Sequence, residues 1–161
     1  NELIKSVIKA NYYIPISSNK VKNEEELKDC MVNKIKEILQ ETGKGNAFVG
    51  EEFKIKSGNK TYYLDLLFYN YLLHAFIVIE VKIGEYKATH LGQLKNYVKC
   101  VDQEHKSKID NKTIGILLCK DADRIIVRNT IEDEETPLIL SQYILLDKLD
   151  DYLNEKVEFL A

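Results

Sequence analysis

The apolar residues of this chain change rhythm several times. Leu27, Met31, Ile35, Ile38 and Leu39 recur at helical spacing. Asn23 stands before them as an N-cap, Glu24, Glu25 and Glu26 suit the positive end of a helix, and Gly43 and Gly45 close the segment. The spacing predicts a helix from Asn23 through Leu39. Upstream, Pro15 and Ser17-Ser18-Asn19 make Tyr12 to Asn23 read as a linker or arm, so residues 1–22 are expected to precede a domain over 23–161. Three strands are predicted next, over Ala47 to Lys56, Thr61 to Tyr69 and Ala75 to Ile83, with turns at Ser57-Gly58-Asn59 and Asn70 to Leu73. They are expected to form an antiparallel meander. The third, AFIVIEVKI, is almost continuously apolar, as a central strand covered on both faces would be. Ala88 to Asp102 returns to helical spacing. Thr113 to Cys119 and Pro137 to Leu145 read as strands, Arg124 to Thr130 as a short element and Asp147 to Phe159 as a terminal helix. This order implies an α/β fold with a mixed central sheet flanked by helices.

Composition narrows the functional classes. The 161 residues are 45% hydrophobic, enough for a sizeable core, and carry a net charge of −3, which argues against a globally basic nucleic-acid coat. The charge is uneven: residues 121–161 hold 11 acids and 4 bases, whereas residues 1–120 hold 15 acids and 19 bases. A basic body can meet a polyanion locally, since salt screens fields beyond about 10 Å. No apolar run approaches the roughly 18 residues of a membrane span, and no signal peptide is visible. Cys30, Cys100 and Cys119 are odd in number and lack a C-x-x-C pattern, so reduced thiols in a cytoplasmic protein are expected.

The informative anomaly is charge within apolar strands. Asp65 sits in YYLDLLFY, and Glu80 and Lys82 sit in IVIEVKI. Buried charges are paired, bound to metal or placed at strand ends. Glu80 and Lys82 share a strand face by alternation, and pairing through the Asn70 to Leu73 turn would bring Asp65 beside Glu80. Two carboxylates, with a strand carbonyl such as that of Val81, suit Mg²⁺, and a lysine beside them suits phosphate chemistry. A structural salt bridge is the competing reading, because D-x14-E-x-K is short. On the following helix Gln93 and Tyr97 are four residues apart and share a face, while Lys87, Lys95 and Lys99 would form a basic rim for a phosphate backbone.

Together, Asp65, Glu80-Val81-Lys82, Gln93 and Tyr97 resemble the PD-(D/E)XK nuclease superfamily, in the group with a Q-x-x-x-Y helix motif. KGNAFVG (44–50), YYLDLLFYN (62–70), VIEVKIGEYK (78–87), GQLKNYV (92–98) and TIGILLCKD (113–121) are similar to the YhcG-like family of nucleases. The resemblance covers roughly residues 24 to 161. It implies a restriction-endonuclease-like core and a metal-dependent phosphodiesterase: an endonuclease acting on DNA with Mg²⁺, for which Mn²⁺ can substitute. Asp65 and Glu80 would be metal ligands, Lys82 the catalytic lysine and Gln93 a support. Glu41 occupies the place of the first-helix carboxylate that often joins such sites; a solvated helix-end acid is the plain alternative. Such domains resemble the C-terminal half of a longer chain with an N-terminal helical domain, consistent with the absent initiator Met. A homodimer is a further expectation, since many nucleases of this class pair to cut two strands. Where YhcG-like chains commonly carry Arg-Gln after the FVG stretch, this chain has Glu51-Glu52.

Other chemistries find less support. GKGNAFVG lacks the G-K-[ST] of a phosphate-binding loop, and no local signature assembles a Ser/His/Asp or Cys/His nucleophile. A glycosidase would leave the lysine two residues after Glu80 unexplained. The remaining alternative is a catalytically weak nucleic-acid- or protein-binding module on the same fold.

Overall fold

A computed structural model describes residues 11–16, 21–120 and 136–145. Helix α1 (Glu24–Thr42) begins where expected, because the Asn23 side chain accepts the Glu26 N–H at 2.8 Å. It ends at Gly43, whose N–H reaches the Leu39 carbonyl at 3.2 Å. Strands β2 (Asn46–Ser57) and β3 (Lys60–Asn70) form a hairpin whose turn opens on Gly58 at φ +63°, a conformation that suits a residue without Cβ. Strand β4 (Ala75–Val81) adds to β3, completing the expected meander. Helix α2 (Ala88–Glu104) then carries the chain to β5 (Ile114–Cys119), which is parallel to β4, and β6 (Leu138–Leu145) lies parallel to β5.

One expectation needs correction. Within the segment read as a linker, Asn11–Ile14 is a strand, β1, parallel to β6 at the sheet edge. Four residues beside a proline carry too little local signal to compete with turn chemistry; β6, far along the chain, supplies the pairing. Tyr12 and Ile14 are buried there. The sheet order is β1-β6-β5-β4-β3-β2, mixed as anticipated. The short element expected at Arg124 to Thr130 and the helix at Asp147 to Phe159 lie outside the described residues.

Among the described residues, the sheet has two apolar faces, each packed against one helix. Met31, Val32, Ile35 and Leu39 of α1 pack on Phe68, Ile77, Ile79, Ile116 and Leu118. Leu94, Tyr97, Val98 and Val101 of α2 pack on Leu67, Val78, Leu117 and Leu140. Alternation along β4 therefore sends Ile77, Ile79 and Val81 to the α1 face and Val78 and Glu80 to the α2 face. Cys30, Cys100 and Cys119 are free thiols. Among the described residues no helix is long and apolar enough to cross a membrane.

Candidate active site

The β3–β4 ladder stops where its charges begin. Its last pair is Leu66 opposite Ile79, and continuing that register sets Asp65 opposite Glu80. Here side chains take over from the backbone. The Asp65 N–H donates to Glu80 Oε1 at 2.9 Å, and the Val81 N–H donates to Asp65 Oδ2 at 2.8 Å. Each acid satisfies a backbone donor of the facing strand, which is how two carboxylates stay ordered at a strand end. The Asp65 side chain is 13% exposed and Glu80 is 4% exposed. Burial, and then the neighbouring Asp65 charge, push the Glu80 carboxyl up to about 8; the Asp65 N–H and the charges of Lys82 and Lys28 pull the other way.

Lys82 leaves the end of β4 with its backbone held on both sides. Its N–H donates to the Leu118 carbonyl at 2.8 Å, and its carbonyl accepts the Tyr143 hydroxyl at 3.2 Å. The same hydroxyl accepts the Gly84 N–H at 3.4 Å. The ammonium of Lys82 donates to Gln93 Oε1 at 3.2 Å, so the first half of α2 faces the acids. Tyr97, one turn further, is buried with its ring 5.4 Å from that of Tyr62. Burial first, and then chiefly the Glu80 carboxylate, push its hydroxyl up to about 12, so it keeps its proton. His90 also belongs to this neighbourhood: burial and the charges of Lys82 and Lys87 lower its pKa, and its buried Nδ1 finds no hydrogen-bond partner among the described residues.

Asp65, Glu80, Lys82, Gln93 and Tyr97 thus converge as the sequence suggested. Glu41 does not join them. The site end of α1 is marked by Lys28, whose Nζ lies 3.2 Å from Asp65 Oδ1, and Glu41 is about 20 Å further along the axis at 1.5 Å per residue. The acids at the site end are instead Glu24 and Glu25, one turn before Lys28. Lys28 lies outside the charged-strand pattern, although the sequence carries a signal for it. It falls three and four residues before Met31 and Val32, on the stripe that faces inward. The basic rim is spread out: Lys87 precedes α2, whereas Lys99 stands about 9 Å past Gln93 along the axis, beside Lys112. Glu51 pairs with Lys36 at 3.3 Å and so has a partner away from the two acids.

The donor set can be tested against a divalent ion. Among the described residues no cluster of three or more His, Cys, Asp or Glu side chains is positioned to hold a metal. Mg²⁺ does not require one, since it binds through one or two carboxylates and keeps several waters. Two carboxylates that crowd each other, one with a raised pKa, make a place where added positive charge is favourable. The residues fit such an ion.

The family profile of the YhcG PDDEXK nuclease domain matches residues 4–158. The chain belongs to that family. The match reaches upstream of the boundary expected at residue 23, in keeping with β1 being part of the sheet. The expected restriction-endonuclease-like α/β core is the fold observed. A curated relative, "Putative nuclease YhcG" of Escherichia coli strain K12, is 24% identical over 97 residues, which are 60% of this chain and 26% of that protein. The chain therefore spans about a quarter of the length of that relative. Among solved structures, a repair endonuclease from Pyrococcus abyssi is similar with a TM-score of 0.47 and 17% identity, over 81% of this chain and 49% of its own. EndoMS, in a complex with double-stranded DNA, is similar with a TM-score of 0.48 and 17% identity, over 81% of this chain and 48% of its own.

Proposed function

We propose that this domain is a Mg²⁺-dependent endonuclease that hydrolyses phosphodiester bonds in DNA. The observation that carries the reading is the meeting of Asp65 and Glu80 across the end of the β3–β4 ladder, with Lys82 held beside them on Gln93. Asp65, Glu80 and the Val81 carbonyl would hold the metal. When bound, the ion supplies Lewis acidity toward a phosphate oxygen and lowers the pKa of water.

The protein's own groups set the remaining geometry. Lys82 neutralises the scissile phosphate and orients the incoming water. Its anchored backbone and the Gln93 carbonyl limit where its ammonium can go, so little reorganisation is left for the reaction itself. Tyr97, a protonated hydroxyl close to the acids, offers a donor rather than a base. Lys87, Lys95 and Lys99 contact the flanking phosphates.

Plasmid, branched and single-stranded DNA incubated with Mg²⁺ or Mn²⁺ provide the test. Cleavage is expected with the wild type and is expected to fall by about 100-fold or more in Asp65→Asn, Glu80→Gln and Lys82→Met, the scale of removing a charge-stabilising group from an active site. DNA binding that survives with no cleavage of any substrate would overturn the enzyme reading in favour of a binding module.

A further inference from the structure

Among the described residues, a cation outside the D-x14-E-x-K pattern touches one of the acids. Lys28 comes from α1, the helix on the opposite face of the sheet from Gln93, and reaches over the strand ends to Asp65 Oδ1 at 3.2 Å. Three of the carboxylate oxygens have assigned partners. Asp65 Oδ2 and Glu80 Oε1 each accept a backbone N–H, and Asp65 Oδ1 faces the Lys28 ammonium. The Asp65 oxygen not bound to backbone is therefore the one already beside a positive charge.

We infer that Lys28 is a built-in counter-ion that a divalent cation must displace from Asp65, so that this lysine sets the metal concentration at which the site loads. This rests on the reading of Asp65 and Glu80 as metal ligands. Mg²⁺ lies about 2.1 Å from a ligand oxygen, so an ammonium 3.2 Å from the same atom would share it with a doubly charged ion, and such cations repel strongly at these separations. Lys28 is able to leave. Its side chain is 38% exposed on a long flexible stem, and it lies in the second turn of α1, next to the water-facing first-turn acids Glu24 and Glu25. Lys82 behaves differently, because its backbone is pinned by Leu118 and Tyr143 and its ammonium is turned to Gln93.

Ca²⁺ titrated calorimetrically into the metal-free protein reads binding apart from cleavage. The measurement belongs at a pH where Glu80 is ionised in every variant. Lys28→Met is expected to tighten Ca²⁺ binding about threefold to tenfold, the reach of one partly exposed ion pair, whereas Lys28→Arg, which keeps the charge, stays within about twofold of the wild type. Thermal unfolding provides a second readout: saturating Ca²⁺ should raise Tm more in Lys28→Met than in the wild type. Unchanged or weaker Ca²⁺ binding by Lys28→Met, with binding still abolished in Asp65→Asn, would overturn the inference and leave the nuclease reading intact. A wild type that gives neither heat nor a Tm shift with Ca²⁺ would overturn the metal reading, and this inference with it.

Discussion

The two ends of the β3–β4 hairpin both hold buried polar side chains, yet they are built on opposite terms. At the turn end, Asn70 is fully buried and fully engaged. Its Nδ2 donates to the Lys44 carbonyl at 2.7 Å and to Asn46 Oδ1 at 2.9 Å, and its Oδ1 accepts the N–H groups of Leu72 and Leu73. Gly45, at φ +83°, leaves the room that Asn70 needs, because a Cβ there would come within 2.9 Å of its Oδ1. This is a neutral network with its partners in place. At the other end two acids, Asp65 and Glu80, face each other, and burial together with the Asp65 charge pushes the Glu80 carboxyl up to about 8. A polar group that the fold completes is part of the scaffold. A pair of acids that the fold crowds together is left for something from outside to complete.

Substitutions at each end should separate these roles. The largest stability effect belongs to the completed network. Asn70→Ala should destabilise the domain by about 2–4 kcal/mol, because several buried groups lose their partner at once. Denaturant unfolding measures it, and a loss below 1 kcal/mol would break the contrast.

The crowded end should respond with the opposite sign. In the metal-free protein Glu80→Gln should stabilise by about 0.5–2 kcal/mol at neutral pH, since the buried carboxyl must take up a proton on folding there, whereas the amide is neutral throughout and keeps an acceptor for the Asp65 N–H. The effect should depend on pH in a defined way. The folded-state carboxyl titrates near 8 rather than 4.5, so the folded protein holds this proton more tightly than the unfolded chain. Its contribution is fully present below about 4.5 and is lost as pH rises toward about 8. Wild-type stability should therefore decline across that window relative to Glu80→Gln, and parallel pH profiles would refute the assignment.

The smallest effect should come from the neighbouring edge strand. The β2–β3 register places Glu52 opposite Asp65, and its φ is +46°, which is unfavourable for a residue with a Cβ. Glu52→Gly should stabilise by about 0.5–1 kcal/mol, as relief of that conformation outweighs the added chain entropy. Thermal melts of the two proteins would show it as a small rise in Tm.

Much of this site could be read along the chain. Asp65, Glu80 and Lys82 stand out because charge breaks an apolar β pattern, and a short turn between two strands leaves little choice of partner. Helical spacing puts Gln93 and Tyr97 on one face, and the resemblance to the nuclease family is what turns that face toward the acids. Motif order points to Glu41, but it says nothing about which end of a helix approaches the sheet end, and the end near the acids is the one that carries Lys28. Lys28 was legible as a lysine on the inward stripe of α1, but the position of Asp65 at the end of that stripe was not.

Local pattern and short-range pairing were thus enough to determine the α/β class, the order of elements from α1 through β5, the β2–β4 meander and the meeting of its two acids, since period and turn chemistry act over a few residues. Tertiary structure alone decided that Asn11–Ile14 joins β6, that Tyr143 pins the backbone of Lys82 and that Lys28 rather than Glu41 arrives at Asp65. Those contacts join residues 37 to 131 positions apart, and helix placement over a sheet depends on packing of whole faces, which no local window contains.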